Sequence, residues 1–232
     1  MTTHYDEEAQ VEQLRRWWRE NRLPLLTGLL LGMGVIVGWQ TWEQRLELRA
    51  AAGSHLYEDL GRAGVDKYAD GQAMADRLVK DYGNTPYAAM GALRMAALAI
   101  EANKPDEARA RLEWVVNTAA HPSAGVRLLQ ALHLLPDTGA VDLLPLAQLR
   151  LAQVLWQQGK LDDALHQLQG DPGAYGGLYD ELRGDIKLAQ GDRAAARAAY
   201  ENALREAAAD APNRDALQRK IDDLADAAAV HS

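Results

Sequence analysis

Few side chains in this sequence are placed to do covalent chemistry. Cysteine is absent, and Ser54, Ser123 and Ser232 are the only serines. None of the three sits in a Gly-x-Ser-x-Gly elbow, and no Walker-type phosphate loop or His-Glu-x-x-His pair occurs. The six histidines, at 4, 55, 121, 133, 166 and 231, are scattered without metal-ligand spacing. Asp162–Asp163 and Asp222–Asp223 resemble paired carboxylates. Adjacent residues on a helix, however, point about 100° apart, and acids near a helix start favour its dipole. Nothing here marks a catalytic centre, a metal site or a cofactor, and the chain reads as a non-enzyme. What remains is the chemistry of apolar surface: insertion, packing and the holding of other proteins.

The strongest such element is the uncharged stretch Leu23–Trp42, LPLLTGLLLGMGVIVGWQTW, closed by Arg22 and Glu43. At about 1.5 Å per residue it spans about 30 Å, the thickness of a hydrocarbon core. Its nine Leu, Ile and Val residues together favour insertion by about 3–5 kcal/mol, with no central charge to cancel them. A cleaved signal peptide fits less well. Ala50-Ala51-Ala52 lies well past the apolar region, and both that region and the segment before it are too long. The stretch is expected to be a retained signal-anchor.

Arg15, Arg16, Arg19 and Arg22 precede the span, while Arg45 and Arg49 follow it among Glu43 and Glu47. This bias keeps residues 1–22 in the cytoplasm and sends 43–232 across, a single-pass type II arrangement. Trp17 and Trp18 on one side and Trp39 and Trp42 on the other suit the interfacial belts. Residues 6–21 read as a helix with Val11, Leu14, Trp17 and Trp18 on one side. It either lies in the headgroup plane or simply extends the membrane helix. Inside the span, Gly28-xxx-Gly32 and Gly34-xxx-Gly38 leave two grooves where a second membrane helix can approach.

The full chain carries a net charge of −8. Four Arg and five acids precede the span, leaving 21 basic and 28 acidic residues in 43–232. An acidic exported part argues against nucleic acid as partner. About 190 residues suffice for one domain with a sizeable core. Phenylalanine is absent, so Leu, Ala, Trp and Tyr must build that core.

Beyond the span a helical pattern continues to about Ala63, and then helix pairs recur. LRLAQVLWQQGKLDDALHQL and LRGDIKLAQGDRAAARAAYENAL match at 32 residues: Ala152 with Gly184, Gly159 with Gly191, Ala164 with Ala196. That is close to the 34 of a tetratricopeptide repeat. Small residues let the two helices cross closely, and the glycine ends the first in a left-handed turn. LRMAALAIEANKPDEARARLEWVV supplies a third copy, with Ala96, Ala108 and Leu112 in register and Asn103 at the turn, where Asn tolerates that conformation. A weaker pair joins 48–61 to Gly71–Tyr82. Residues 117–145 break the period and are expected to insert a short helix, Val126–Leu135, and a loop. The helix from Asn213 to about Ala228 has the polar outer face of a solenoid cap. The fold expected is all-α: one transmembrane helix followed by a tetratricopeptide-like solenoid with a C-terminal capping helix.

The first helix of each pair should line a concave face. Register places there Met90, Leu93, Ala97 and Ile100; Leu146, Leu149, Gln153 and Trp156; and Leu178, Glu181, Asp185 and Leu188. This largely apolar face suits unfolded polypeptide or a partner's hydrophobic segment, with Trp156 the strongest anchor. The competing reading is that the insertion or the terminal helix covers it.

With QVEQLRRWWREN, the glycine pattern from Gly28 to Trp39, both helix-pair blocks and the terminal LQRKIDDLA, nearly the whole chain resembles the YfgM-like ancillary subunits of the bacterial SecYEG translocon. The resemblance implies a single-span inner-membrane protein with a periplasmic tetratricopeptide-like domain. It further implies association with SecYEG and a PpiD-like membrane chaperone, and a part in passing newly translocated chains to periplasmic chaperones. The alternative role is an assembly or regulatory adaptor working through its cytoplasmic amino-terminal helix.

Overall fold

A computed structural model describes residues 3–83, 85–121, 128, 131–132, 142–208 and 211–229, with side chains described between residues 15 and 225. Helices α1 (Thr3–Arg62), α2 (Tyr68–Asp81), α3 (Pro86–Glu101), α4 (Pro105–Ala120), α5 (Leu144–Gln157), α6 (Leu161–Gln167), α7 (Gly176–Ala189), α8 (Arg193–Glu206) and α9 (Arg214–Ala229) follow one another. No strand occurs among the described residues. The expected insert helix Val126–Leu135 lies largely outside them; of it, Leu128 and Leu132 are exposed and joined by one helical hydrogen bond of 3.0 Å.

The chain divides into two compact units, Met1–Ala51 and Ala52–Ser232. The first is helix alone. Pro24 lies inside it, where its missing N–H frees the carbonyl of Glu20, and Thr27 donates to the carbonyls of Leu23 and Pro24. The long apolar side chains point outward: Leu23, Leu31 and Val35 are each more than 70% exposed.

In the second unit each helix from α2 onward packs on the next, and the first helices α5 and α7 also touch. Proline at the first or second position starts α3, α4 and α5, where no intrahelical N–H is needed. The ends of the first helices are built alike. Asn103, Gly159 and Gly191 take φ of +57°, +74° and +83°. The next residue in each case, Lys104, Lys160 or Asp192, donates its N–H to the carbonyl five residues back. This left-handed closure, with an Asn in one copy, is what the spacing predicts.

The period also shows in the packing. Ala108, Ala164 and Ala196 are fully buried, and the large residue four positions on in each copy, Leu112, Leu168 or Tyr200, is at most 2% exposed. Facing them are Ala96, Ala152 and Gly184. The bulkier Tyr200 meets the smallest partner: a Cβ on Gly184 would lie 2.3 Å from the ring's Cε1. The largest apolar cluster runs from Ala96 of α3 to Ile186 of α7. Separate clusters join the end of α1 with α2 and α3, and α8 with α9.

Candidate protein-binding face and membrane anchor

The last turn of each first helix carries one apolar side chain in register: Ile100, Trp156 and Leu188. In all three the carbonyl accepts the N–H of the left-handed residue, which fixes that turn against the start of the second helix. Ile100 and Leu188 are each 40% exposed. Trp156 is half-buried, its ring against the main cluster. Leu178, two turns or more up α7, and Ala97 are exposed as well. Met90, Leu93 and Leu146 are half-buried, with Leu93 against two apolar clusters. Gln153, also half-buried, accepts a 2.9 Å hydrogen bond from Arg150.

Leu149 corrects the expectation. It is 2% exposed and belongs to the main cluster, because α4 and α7 both pack on α5. Glu181 and Asp185 are in place on α7 but already engaged. Lys220 of α9 reaches them at 3.0 and 2.7 Å, Asn213 donates to Glu181 at 3.0 Å, and the Tyr200 hydroxyl donates to Asp185 at 2.8 Å. Burial lowers the Lys220 ammonium's pKa, yet its hydrogen bonds to Asp185 and Glu181 outweigh that and hold it above the ordinary lysine value. Burial, then the bond to Asp185, pushes the Tyr200 phenol well up. At this end the terminal helix therefore takes up the polar part of the proposed face. Asn213 stands 32 residues after Glu181, and Lys220 stands 32 after Leu188. The repeat period, carried one step further, would have found this contact.

Sequence reasoning also missed two sets of ties between neighbouring pairs. Gln158 donates to Asp106 at 3.2 Å and Gln190, one period on, to Asp162 at 2.9 Å. Arg94, Arg183 and Arg214 donate to the carbonyls of Ala63, Leu168, and Leu204 with Ala207. Each arginine thus satisfies carbonyls at the end of an earlier helix. The acids and glutamines named here hold neighbouring helices together, and the described residues hold no group of three or more His, Asp or Glu that could bind a metal.

In the amino-terminal unit, a Cβ added at Gly28, Gly32, Gly34 or Gly38 would meet nothing within 4 Å. None of the most apolar window of this helix is buried. An apolar helix of that length fits a membrane span.

A long unburied apolar helix and an array of paired helices with a capping helix make an all-α helical-repeat protein whose amino-terminal helix fits a single-pass membrane anchor. The chain belongs to the tetratricopeptide repeat-like domain family, whose model matches residues 15–226. Among its relatives is the "Ancillary SecYEG translocon subunit" of Escherichia coli strain K12, 28% identical over 97% of this chain and 99% of the relative. Proteins of the same name from Haemophilus influenzae (29%, covering 88% and 91%) and Neisseria gonorrhoeae (26%, covering 97% and 100%) match as well. The resemblance read from the sequence therefore holds along nearly the whole chain. No solved structure gives a significant match.

Proposed function

We propose that this chain is an ancillary subunit of the bacterial SecYEG translocon that holds proteins as they emerge and passes them to periplasmic chaperones, including a PpiD-like membrane partner. Residues 1–22 lie in the cytoplasm, 23–42 cross the inner membrane, and 43–232 form the periplasmic domain. The observation that carries this reading is the extent of the match: relatives named as translocon subunits align from the apolar helix to the terminal helix, over 97% of the chain in the first case. The mechanism is one of position. A tether confines the repeat domain to the membrane surface, raising its concentration near the exit to about the millimolar range. Ile100, Trp156 and Leu188 offer an apolar row for an unfolded segment, and Gly28, Gly32, Gly34 and Gly38 a close approach for a partner's membrane helix.

Photoreactive residues at positions 100 and 188, introduced in growing cells, test it. Adducts with SecYEG subunits, a PpiD-like chaperone and exported chains are expected, and none at the buried position 149. Adducts only with cytosolic proteins, or none at either exposed position, would overturn the proposal. Protease added to spheroplasts should remove 43–232.

A further inference from the structure

The charges ahead of the span are sorted by height. Arg15, Arg16, Arg19 and Arg22 occupy the two turns next to Leu23, while Asp6, Glu7, Glu8 and Glu12 lie farther out and only Glu20 is interleaved. α1 is helical throughout this region, so distance from the apolar stretch follows from the sequence. At about 1.5 Å per residue Arg22 sits at its edge, Arg19 about 5 Å out and Arg15 about 11 Å out. Glu12 is then about 15 Å out, and Asp6, Glu7 and Glu8 more than about 20 Å.

A headgroup layer is about 5–8 Å thick on each side, and charge is screened over about 8 Å at physiological salt. Long arginine side chains bend toward phosphate, so all four guanidinium groups fall within its reach. Asp6, Glu7 and Glu8 lie beyond that range, and Glu12 stands at its outer limit. Counted whole, the segment carries five acids against four bases and would repel an anionic surface; ordered as it is, it presents a basic band to the membrane. The four arginines are exposed, and none is held in an ion pair with another described residue. Arg15, Arg19 and Arg22 share one face at i, i+4 and i+7. Trp17 and Trp18, 51% and 53% exposed, supply rings suited to the same layer.

We propose that this band binds the phosphodiester headgroups of anionic phospholipids and gathers them around the foot of the anchor. The inference rests on Leu23–Trp42 being a membrane span. Each phosphate-facing arginine contributes about fivefold to the preference.

Full-length protein reconstituted in nanodiscs of equimolar phosphatidylglycerol and phosphatidylethanolamine, with retained lipids counted by native mass spectrometry, is the test. Identical leaflets make insertion direction immaterial. The wild type should retain phosphatidylglycerol at least fivefold over phosphatidylethanolamine. The variant R15Q/R16Q/R19Q/R22Q should retain the two equally, and E7Q/E8Q should match the wild type. Equal retention by the wild type, unchanged preference in the arginine variant, or a gain in the acid variant as large as the arginine variant's loss would overturn the proposal. Alkaline carbonate extraction separates this from the underlying reading: protein released from membranes refutes the span itself, whereas protein that stays without lipid preference refutes only the anionic site.

Discussion

Replacing Gly184 by Ala puts one methyl where the Tyr200 ring already lies. Its Cβ would stand 2.3, 2.5 and 2.9 Å from three ring carbons, more than an ångström inside ordinary contact. The ring cannot swing away cheaply. It is 1% exposed, packs with Leu217, Ile221 and Leu224 of α9, and its hydroxyl is bonded to Asp185. Overpacking costs about 1–3 kcal/mol, here at the upper end, and the better helix propensity of Ala returns about 1 kcal/mol. Gly184→Ala should therefore destabilise by about 2 kcal/mol, lowering Tm by about 4–8 °C for a domain of this size. Tyr200→Leu alone loses ring contacts and a hydroxyl bond, also about 2 kcal/mol. The double variant, however, recreates the Ala152–Leu168 combination of the preceding copy. It should cost at least about 1 kcal/mol less than the sum of the two single changes. Urea unfolding of residues 43–232, followed by circular dichroism, reads all three. Additivity within about 0.5 kcal/mol would refute the claim that the two positions are matched.

Two further outcomes follow from the turns and the buried phenols. Gly159→Ala forces a Cβ into φ +74° and should cost about 1–2 kcal/mol, while Asn103→Gly should change stability by no more than about 0.5 kcal/mol; equal effects in the same unfolding assay would refute the shared left-handed closure. Burial, aided at Tyr68 by the hydrogen bond to Glu107, pushes Tyr68 and Tyr179 up to about 12, and Tyr200 and Lys220 are raised too. The folded state thus holds these protons more tightly than the unfolded chain, so stability is full below about pH 10 and falls as pH rises through 12. Tyr200→Phe should flatten that fall, and a urea midpoint constant from about pH 9 to 12 would refute the assignment.

Most of the architecture was legible because small residues have few reasons to recur at a fixed interval. Ala152 and Gly184, or Ala164 and Ala196, mark where backbones must approach, and Gly159, Gly191 and Asn103 mark where the chain must turn left. Those demands act within one helix pair, and the sequence carries them directly. The candidate face was less legible because a register position says which side of a helix a residue occupies, not whether another helix covers that side. Leu149 illustrates the difference. It shares a register with the half-buried Leu93, yet α5 is apolar almost all the way round, from Leu146 through Trp156. A helix with that composition is enclosed, so the burial of Leu149 had a signal that the repeat alignment alone overlooked.

The terminal helix shows how far the period reaches. Taken as a cap, α9 needs only an apolar side and a polar one. Taken as the first helix of another copy, its residues acquire specific duties. Asn213 falls one period after Glu181 and bonds to it. Lys220 falls one period after Leu188, where the preceding copies carry Ile100, Trp156 and Leu188 itself, and it turns back to Glu181 and Asp185. Two carboxylates this close on α7 would repel each other without a cation between them. Their presence on an otherwise apolar row is explained by the helix that follows. The apolar row proposed for a client therefore ends at Leu188, where Glu181 and Asp185 are taken up by Lys220.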